Sequence, residues 1–118
     1  EKIDSIIAPK RGNSILVKNC ANLLLKNSGF IKESASFNRR IEGKIKPSER
    51  VLLVDDIGSD GEFLCDCVKY LRSEGVFVQS VIVLINRQEG DAKVRLTSLG
   101  VTYKYILEFD DQMLTKMS

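Results

Sequence analysis

The run from Val51 to Val54 constrains the fold more than any other stretch, because four apolar residues follow one another without alternation. Such a run predicts a strand buried on both faces of a parallel sheet. Asp55 and Asp56 follow at once, and we expect them where the strand emerges at its carboxyl end, the edge at which open α/β sheets bind ligands. A Gly-Ser-Asp-Gly turn and a helical apolar pattern from Glu62 to Glu74 complete a strand, turn and helix unit.

This unit suits a phosphorylated sugar. Backbone N–H groups of the turn and of the first helical turn point outward, and the helix dipole adds partial positive charge, so a phosphate fits there. The two carboxylates would then face ribose hydroxyls or a magnesium ion. The alternative is that Asp55 and Asp56 only cap the helix and end the strand.

A second anion site is predicted near the amino terminus. Residues 5–8 read as a short strand that ends at Pro9, and a helix is expected to begin at Asn13 or Ser14. The turn between them contains Lys10, Arg11 and Gly12. Two cations beside a glycine at a helix start suit a diphosphate, although a basic turn can also be simply solvated.

The remaining chain alternates strand and helix patterns. Gly29 is expected to end the first helix, with an extended segment from Phe30 to Glu33 after it. The β-branched run from Val76 to Ile85 predicts the next parallel strand. That strand delivers Asn86 and Arg87 to the edge that carries the acidic pair. Arg87 could bind a carboxylate with both arms of its guanidinium, or form a salt bridge with Glu89 or Asp91.

The last elements are predicted from periodicity alone. They are a helix over residues 89–99 stopped by Gly100, an edge strand over residues 101–107 and a short helix over residues 110–117. The whole pattern indicates an α/β fold: a three-layer α/β/α arrangement around a mostly parallel central sheet of four to five strands.

Composition limits the function classes. The 118 residues suit one domain, 1–118, and because the chain begins at Glu1 rather than Met, the expectation allows for an upstream segment. A net charge of +2 gives no argument for nucleic acid or membrane. The chain has no histidine, which excludes histidine-based triads within it. Cys20, Cys65 and Cys67 are predicted to be reduced packing residues of a cytoplasmic protein.

Two motifs resemble those of the type I phosphoribosyltransferases. The stretch from Val51 to Gly61 is similar to the family's phosphoribosyl pyrophosphate signature: an apolar run, two acids, an apolar pair, a hydroxyl-rich turn and Gly. Leu84 to Gly90 resembles the strand-end segment of orotate phosphoribosyltransferases, and Glu42-Gly43, Lys46-Pro47 and Arg50-Val51 resemble the lead-in to the signature.

The resemblance implies a reaction and a set of roles. The reaction would be Mg²⁺-dependent transfer of a phosphoribosyl group from phosphoribosyl pyrophosphate to a pyrimidine base such as orotate, by a homodimer. Asp55 and Asp56 would be catalytic and would hold ribose hydroxyls or metal, and Arg87 would bind the base. Lys32 would take the place of a family lysine in catalysis. The remaining substrate-binding positions would be Ile57, Gly58, Ser59, Asp60 and Gly61 around the 5′-phosphate, and Lys10, Arg11 and Gly12 around pyrophosphate.

Several positions depart from the family pattern. Asp60 puts a carboxylate into the phosphate loop, and Glu62 and Phe63 replace small or hydroxyl residues. The loop between Glu33 and Ile41, which the resemblance implies to be the family's mobile loop, is short. The chain is expected to be the family's core, with the amino-terminal hood supplied by residues before Glu1. Arg39 and Arg40 could substitute as charge clamps or be surface charge. Two hypotheses therefore stand: an orotate-type phosphoribosyltransferase, or a non-catalytic module of the same fold that binds a nucleotide or a protein partner in a regulatory role.

Overall fold

The computed structural model describes residues 3–9, 19, 22, 26–33, 39–87 and 90–109. These residues include six strands and two helices with stated bounds. The strands are β1 (Ser5–Pro9), β2 (Asn27–Glu33), β3 (Arg39–Gly43), β4 (Arg50–Gly58), β5 (Phe77–Arg87) and β6 (Thr102–Phe109), and the helices are α1 (Glu62–Ser73) and α2 (Ala92–Ser98).

The strands form one sheet in the order β3-β2-β1-β4-β5-β6. All neighbouring pairs are parallel except β2 and β3, which form an antiparallel hairpin at one edge. The predicted mostly parallel α/β fold is confirmed. The predicted strand count of four to five was too low. The residues on either side of the short connection between Glu33 and Arg39 pair with each other as β2 and β3, which adds an antiparallel edge strand.

The two faces of the sheet carry separate apolar clusters. Ile7 and Leu53 belong to the larger cluster, which α1 and α2 cover, while Ile6, Ala8 and Val54 belong to a smaller cluster. Because neighbouring strand residues point to opposite faces, the clusters lie on opposite sides of the sheet. The uninterrupted run from Val51 to Val54 is thus explained by burial on both faces, as predicted.

Gly29 was wrongly predicted as a helix stop. It lies inside β2, level with Ile7 of β1 and Gly43 of β3. A Cβ atom at Gly29 would stand 2.7 Å from the Glu42 carbonyl oxygen and 2.8 Å from Ile45 Cγ1, so the close packing of the hairpin requires glycine here. Gly29 is structurally required, but the reason is the close approach of neighbouring residues in the sheet and not the end of a helix.

The second helix is shorter than predicted. It begins at Ala92 rather than Glu89, with Asp91 at its cap, and the backbone around Gly90 bends before it. Gly100 follows the helix with a φ of +77°, as expected for a helix stop. The predicted edge strand is confirmed as β6, and α1 matches its predicted bounds to within one residue.

The thiols that can be described agree with their predicted packing role. Cys65 and Cys67 are buried, free cysteines on α1. Burial raises the pKa of the Cys65 thiol, which keeps it protonated. Three predictions fall partly or wholly outside the described residues: Cys20, most of the predicted first helix and the predicted helix at residues 110–117. Within the predicted first helix, Asn19 and Asn22 are described and are helical. No helix of the described segments is long and apolar enough to cross a membrane.

Candidate functional site

The acidic pair lies inside β4 and not after it. The strand continues through Ile57 to Gly58, and Asp55 is level with Val83 of β5. Asp55 is only 2% exposed, whereas Asp56 is half-buried. Because side chains alternate along a strand, Asp55 points toward α1 and Asp56 toward the opposite face. The pair is therefore split between the two sides of the sheet.

Backbone amides fix both carboxylates. Asp56 N donates to Asp55 Oδ1 at 2.9 Å, and Ile57 N donates to Asp56 Oδ1 at 2.8 Å. A carboxylate that accepts such a bond is held in one orientation. Asp55 is thus a buried, oriented acid directly beneath the turn that follows β4.

The turn from Ser59 to Gly61 leads into α1. Gly61 has a φ of +81°, and a Cβ atom there would lie 2.6 Å from Ala92 Cα, so glycine is required both by conformation and by space. Glu62 N donates to Asp60 Oδ1 at 2.9 Å. One of the amides expected to receive a phosphate is therefore already bonded to the chain's own carboxylate.

A small cavity of about 80 Å³ opens beside this turn. Its walls are Asp55, Ile57, Ser59, Asp60, Gly61, Phe63 and Leu64. The volume is about that of two to three water molecules in the liquid, so it holds one small group, and the rest of a larger ligand would lie outside the opening. The structure brings Asp55, Ile57, Ser59, Asp60 and Gly61 together as predicted, but it does not bring Asp56 to this cavity.

The turn after β5 is packed directly onto the turn after β4. Ala92 N donates to the Ser59 carbonyl oxygen at 3.0 Å. Gly90 lies so close to that same oxygen that any Cβ atom at Gly90 would overlap it. Arg87 is the last residue of β5, one position beyond Asn86, which is level with Gly58. Arg87 and the β4–α1 turn therefore share the carboxyl edge of the sheet, as predicted.

A polar chain at the same edge was not predicted. Tyr103 Oη donates to Asn86 Oδ1 at 2.6 Å, and Asn86 Nδ2 donates to Glu108 Oε2 at 3.4 Å. Tyr103 Oη also fills the space that a side chain at Gly58 would need. Burial first, then the nearby Tyr105 and Glu108, raises the pKa of Tyr103 to about 12. No spacing rule could reveal this chain, because its members come from two strands that pair only in the fold.

Lys32 lies away from the turn. It is on β2, with Nζ 3.6 Å from Glu42 Oε1, and β1 separates β2 from β4. Extending the strand register places Lys32 level with Asp56 across two strand spacings, about 10 Å. Arg40 pairs with the same Glu42 at 3.1 Å. Lys32 thus faces the side of the sheet that carries Asp56, apart from Asp55.

The remaining candidates are Arg39 and the turn from Lys10 to Gly12. Arg39 Nη1 donates to the Asp66 carbonyl oxygen of α1 at 3.4 Å, which holds this guanidinium against the helix. Lys10, Arg11 and Gly12, the predicted pyrophosphate turn, lie outside the described residues.

The predicted magnesium site depends on the carboxylates of Asp55 and Asp56. The described residues contain no cluster of three or more histidine, cysteine, aspartate or glutamate side chains that could share an ion. Asp55 and Asp56 point to opposite faces, so they do not chelate one ion together. Mg²⁺ commonly uses one or two carboxylates and completes its shell with water and substrate phosphate oxygens. A single carboxylate of this pair fits that mode of binding.

Known proteins with similar sequences are named as orotate phosphoribosyltransferases or as uridine 5′-monophosphate synthase. The orotate phosphoribosyltransferase of Halobacterium salinarum is 37% identical over 80 residues, which is 68% of this chain and 45% of that protein. The chain spans about half the length, or less, of the curated relatives it matches. No protein-family model matches the chain.

Solved structures agree on the fold. UMP synthase of Leishmania donovani superposes with a TM-score of 0.82 at 28% identity, over 98% of this chain and 25% of that one. Orotate phosphoribosyltransferase of Mycobacterium tuberculosis, solved in complex with 5-phospho-α-D-ribosyl 1-diphosphate, superposes with a TM-score of 0.76 at 18% identity, over 92% of this chain and 64% of that one. The second similarity supports the fold alone.

Proposed function

The chain is a relative of the orotate phosphoribosyltransferases and has the type I phosphoribosyltransferase fold, and from this premise we propose that it binds phosphoribosyl pyrophosphate and transfers the phosphoribosyl group to a pyrimidine base such as orotate. One observation carries the proposal: Asp55, the β4–α1 turn and the end of β5 meet at one edge and are packed on each other through Ser59 and Gly90. The protein would act in the cytoplasm, in pyrimidine nucleotide synthesis or salvage.

Each group at the edge has a distinct task in this proposal. The free amides of the turn hold the 5′-phosphate, and Asp55 accepts hydrogen bonds from ribose hydroxyls. Arg87, one strand away, binds the carboxylate of the base. The transferred carbon is attacked by a base nitrogen while its bond to the pyrophosphate oxygen breaks. Lys10, Arg11 and Gly12 are proposed for that leaving group, and Lys32 keeps its predicted catalytic role as a proposal.

The chain contributes mainly by electrostatics. The ribose would become positively charged as pyrophosphate departs, and the buried Asp55 carboxylate would stabilise that charge with little reorganisation. A bound Mg²⁺ ion would neutralise the departing pyrophosphate. Asp56 is the more accessible carboxylate for such an ion, because Asp55 is almost fully buried.

A second candidate function has its own observation. The Asp60 carboxylate already accepts the hydrogen bond of the Glu62 backbone amide. Glu62 adds a second negative charge in the first turn of α1, and Phe63 lines the cavity with an apolar ring. All three features oppose a phosphate dianion. They favour a non-catalytic module of the same fold that binds a nucleotide or a protein partner in a regulatory role.

Binding and turnover measured together separate these candidates. Phosphoribosyl pyrophosphate with Mg²⁺, at about a hundred times its Kd, should raise the Tm by about 5–10 °C, since a ligand that binds only the folded state stabilises it. Asp55→Asn should lose most of the shift, and Glu74→Gln, at the far end of α1, should keep it. No shift at millimolar ligand contradicts both the transferase and any phosphoribosyl site here.

Product formation then decides between the two functions. With orotate added, the transferase should release pyrophosphate, and binding without release would favour the non-catalytic module. The transferase is also proposed to be a homodimer; a monomer by light scattering would count against a mobile loop that completes the neighbouring site.

A further inference from the structure

A second cleft lies at the amino ends of the parallel strands, at the opposite end of the strands from the candidate site. Arg50 and Phe77 are the first residues of β4 and β5 and are paired in the register, and Arg72 reaches toward them from the last turn of α1. Together with Val78 and Gln79 they line a cleft of about 270 Å³, which we name the amino-edge cleft. Its volume is close to the lower end for small-molecule sites in proteins, about 300 Å³.

A β-bulge places Gln79 in this cleft. The register between β4 and β5 shifts after Val51, so that Val51 is level with Val78 but Leu52 is level with Ser80. Gln79 is therefore an extra residue that no residue of β4 faces. Bulges are rare between parallel strands, and they commonly redirect a side chain beside a binding site.

The Gln79 side chain has an unmet hydrogen bond. Its Oε1 atom is buried and has no partner among the described residues. A buried acceptor without a partner is costly, so such a group is commonly satisfied by water or by a ligand. Gln79 lines the cleft, and because its terminal amide turns about a soft torsion, Oε1 can accept a hydrogen bond from a group bound there.

The cations of the cleft differ in how they are held. Arg72 donates to the Leu99 carbonyl oxygen at 2.7 Å and to the Val78 carbonyl oxygen at 3.4 Å, which fixes its guanidinium and leaves further N–H groups. Arg50 donates to Asp4 Oδ2 at 2.9 Å only through its backbone N, and its guanidinium has no partner among the described residues. The cleft thus offers a fixed cation and an uncommitted one.

The Phe77 ring completes the cleft. It is 58% exposed although it begins a central strand. An exposed ring beside two guanidinium groups is a stacking surface for a planar heterocycle.

We propose that the amino-edge cleft binds a nucleoside monophosphate, with its phosphate on Arg50 and Arg72, its base on Phe77, and a base N–H group donating to Gln79 Oε1. Other anions lack one of these parts: inorganic phosphate has no ring, and an aromatic carboxylate without an N–H group leaves Gln79 unpaired. The assignment does not depend on catalysis at the other edge.

NMR can read the two edges of the sheet separately. Uridine 5′-monophosphate should shift the side-chain amide signals of Gln79 and the backbone amide of Phe77. Ribose 5-phosphate, which has no base, should leave the Gln79 signals in place whatever it does at Ser59 and Gly61. If the proposed transferase function fails, only the shifts at Ser59 and Gly61 should be lost, and those at Gln79 and Phe77 should remain. Gln79 signals unmoved by uridine 5′-monophosphate at 10 millimolar, roughly the weakest affinity worth calling a site, would overturn the assignment.

Two changes test the individual contacts. N3-methyluridine 5′-monophosphate lacks the donor, so it should bind the cleft about three- to tenfold more weakly, and Gln79→Met should abolish that preference. Arg50→Gln should weaken binding of uridine 5′-monophosphate about tenfold, while Lys69→Gln on α1 should not. Equal binding of the methylated and unmethylated nucleotides by the unmodified protein would contradict the proposal.

Discussion

The two edges of the sheet differ in how far the chain satisfies its own polar groups. At the carboxyl edge, Asp60 bonds the Glu62 amide, Tyr103 bonds Asn86, and Ser59 accepts from Ala92. At the amino edge, Gln79 Oε1 has no partner among the described residues and the Arg50 guanidinium has none either. The edge proposed to bind a sugar phosphate is thus partly closed by the chain itself, and the open hydrogen-bonding capacity lies at the other end.

The packing between the two turns gives the largest expected effect. Gly90→Ala should destabilise the fold by about 3 kcal/mol or more, because the new Cβ atom overlaps the Ser59 carbonyl oxygen and must push the turns apart. Gly100→Ala, which meets nothing within 4 Å, should cost only about 1–2 kcal/mol for its positive φ. Urea unfolding of both variants measures the difference. Equal losses would mean that the carboxyl edge is not closely packed.

The buried tyrosine predicts an alkaline transition of intermediate size. The pKa of Tyr103 is raised to about 12 from the usual 10, so the neutral phenol is favoured in the folded state. Its contribution is fully present below pH 10 and is lost as the pH rises through 12; a shift of two units corresponds to about 3 kcal/mol.

Comparison with Tyr103→Phe isolates this group from the other residues that titrate in the same range. The free energy of unfolding of the unmodified protein should fall more steeply between pH 10 and 12 than that of the variant. Parallel curves would show that Tyr103 ionises freely and that its bond to Asn86 is unimportant.

The smallest expected effect concerns the charge in the phosphate turn. Asp60→Thr should strengthen binding of ribose 5-phosphate about tenfold, or about 1.4 kcal/mol, because it removes an exposed like charge that solvent already screens. Asp60→Asn keeps an oxygen for the Glu62 amide and removes only the charge. Calorimetry on the three proteins therefore measures the effect of the charge in two different side-chain contexts. Unchanged affinity in both variants would show that Asp60 does not oppose the ligand.

The sequence correctly predicted the features that are determined by residues close together along the chain. The apolar run at Val51 to Val54 located the central strand, and helical spacing located α1 to within one residue. The strand and turn chemistry brought Asp55, Ser59 and Gly61 together as expected. Lys10, Arg11 and Gly12 remain predictions, since they lie outside the described residues.

Features set by pairing between strands were missed. Gly29 looked like a helix stop because the close approach of Glu42 depends on a hairpin partner 13 positions away. The division of Asp55 and Asp56 between two faces follows from the extension of β4 to Gly58, which a Gly-Ser-Asp-Gly turn motif concealed. The bulge at Gln79 and the Tyr103–Asn86 bond require the register of three strands.

The central claim is that the β4–α1 turn still receives a phosphorylated sugar. A crystal of the unmodified protein soaked with ribose 5-phosphate tests it most directly. The account predicts phosphate on the turn amides, sugar hydroxyls at Asp55 and the Asp60 side chain displaced from the Glu62 amide. A turn without phosphate, with Asp60 still bonded to Glu62, would contradict it.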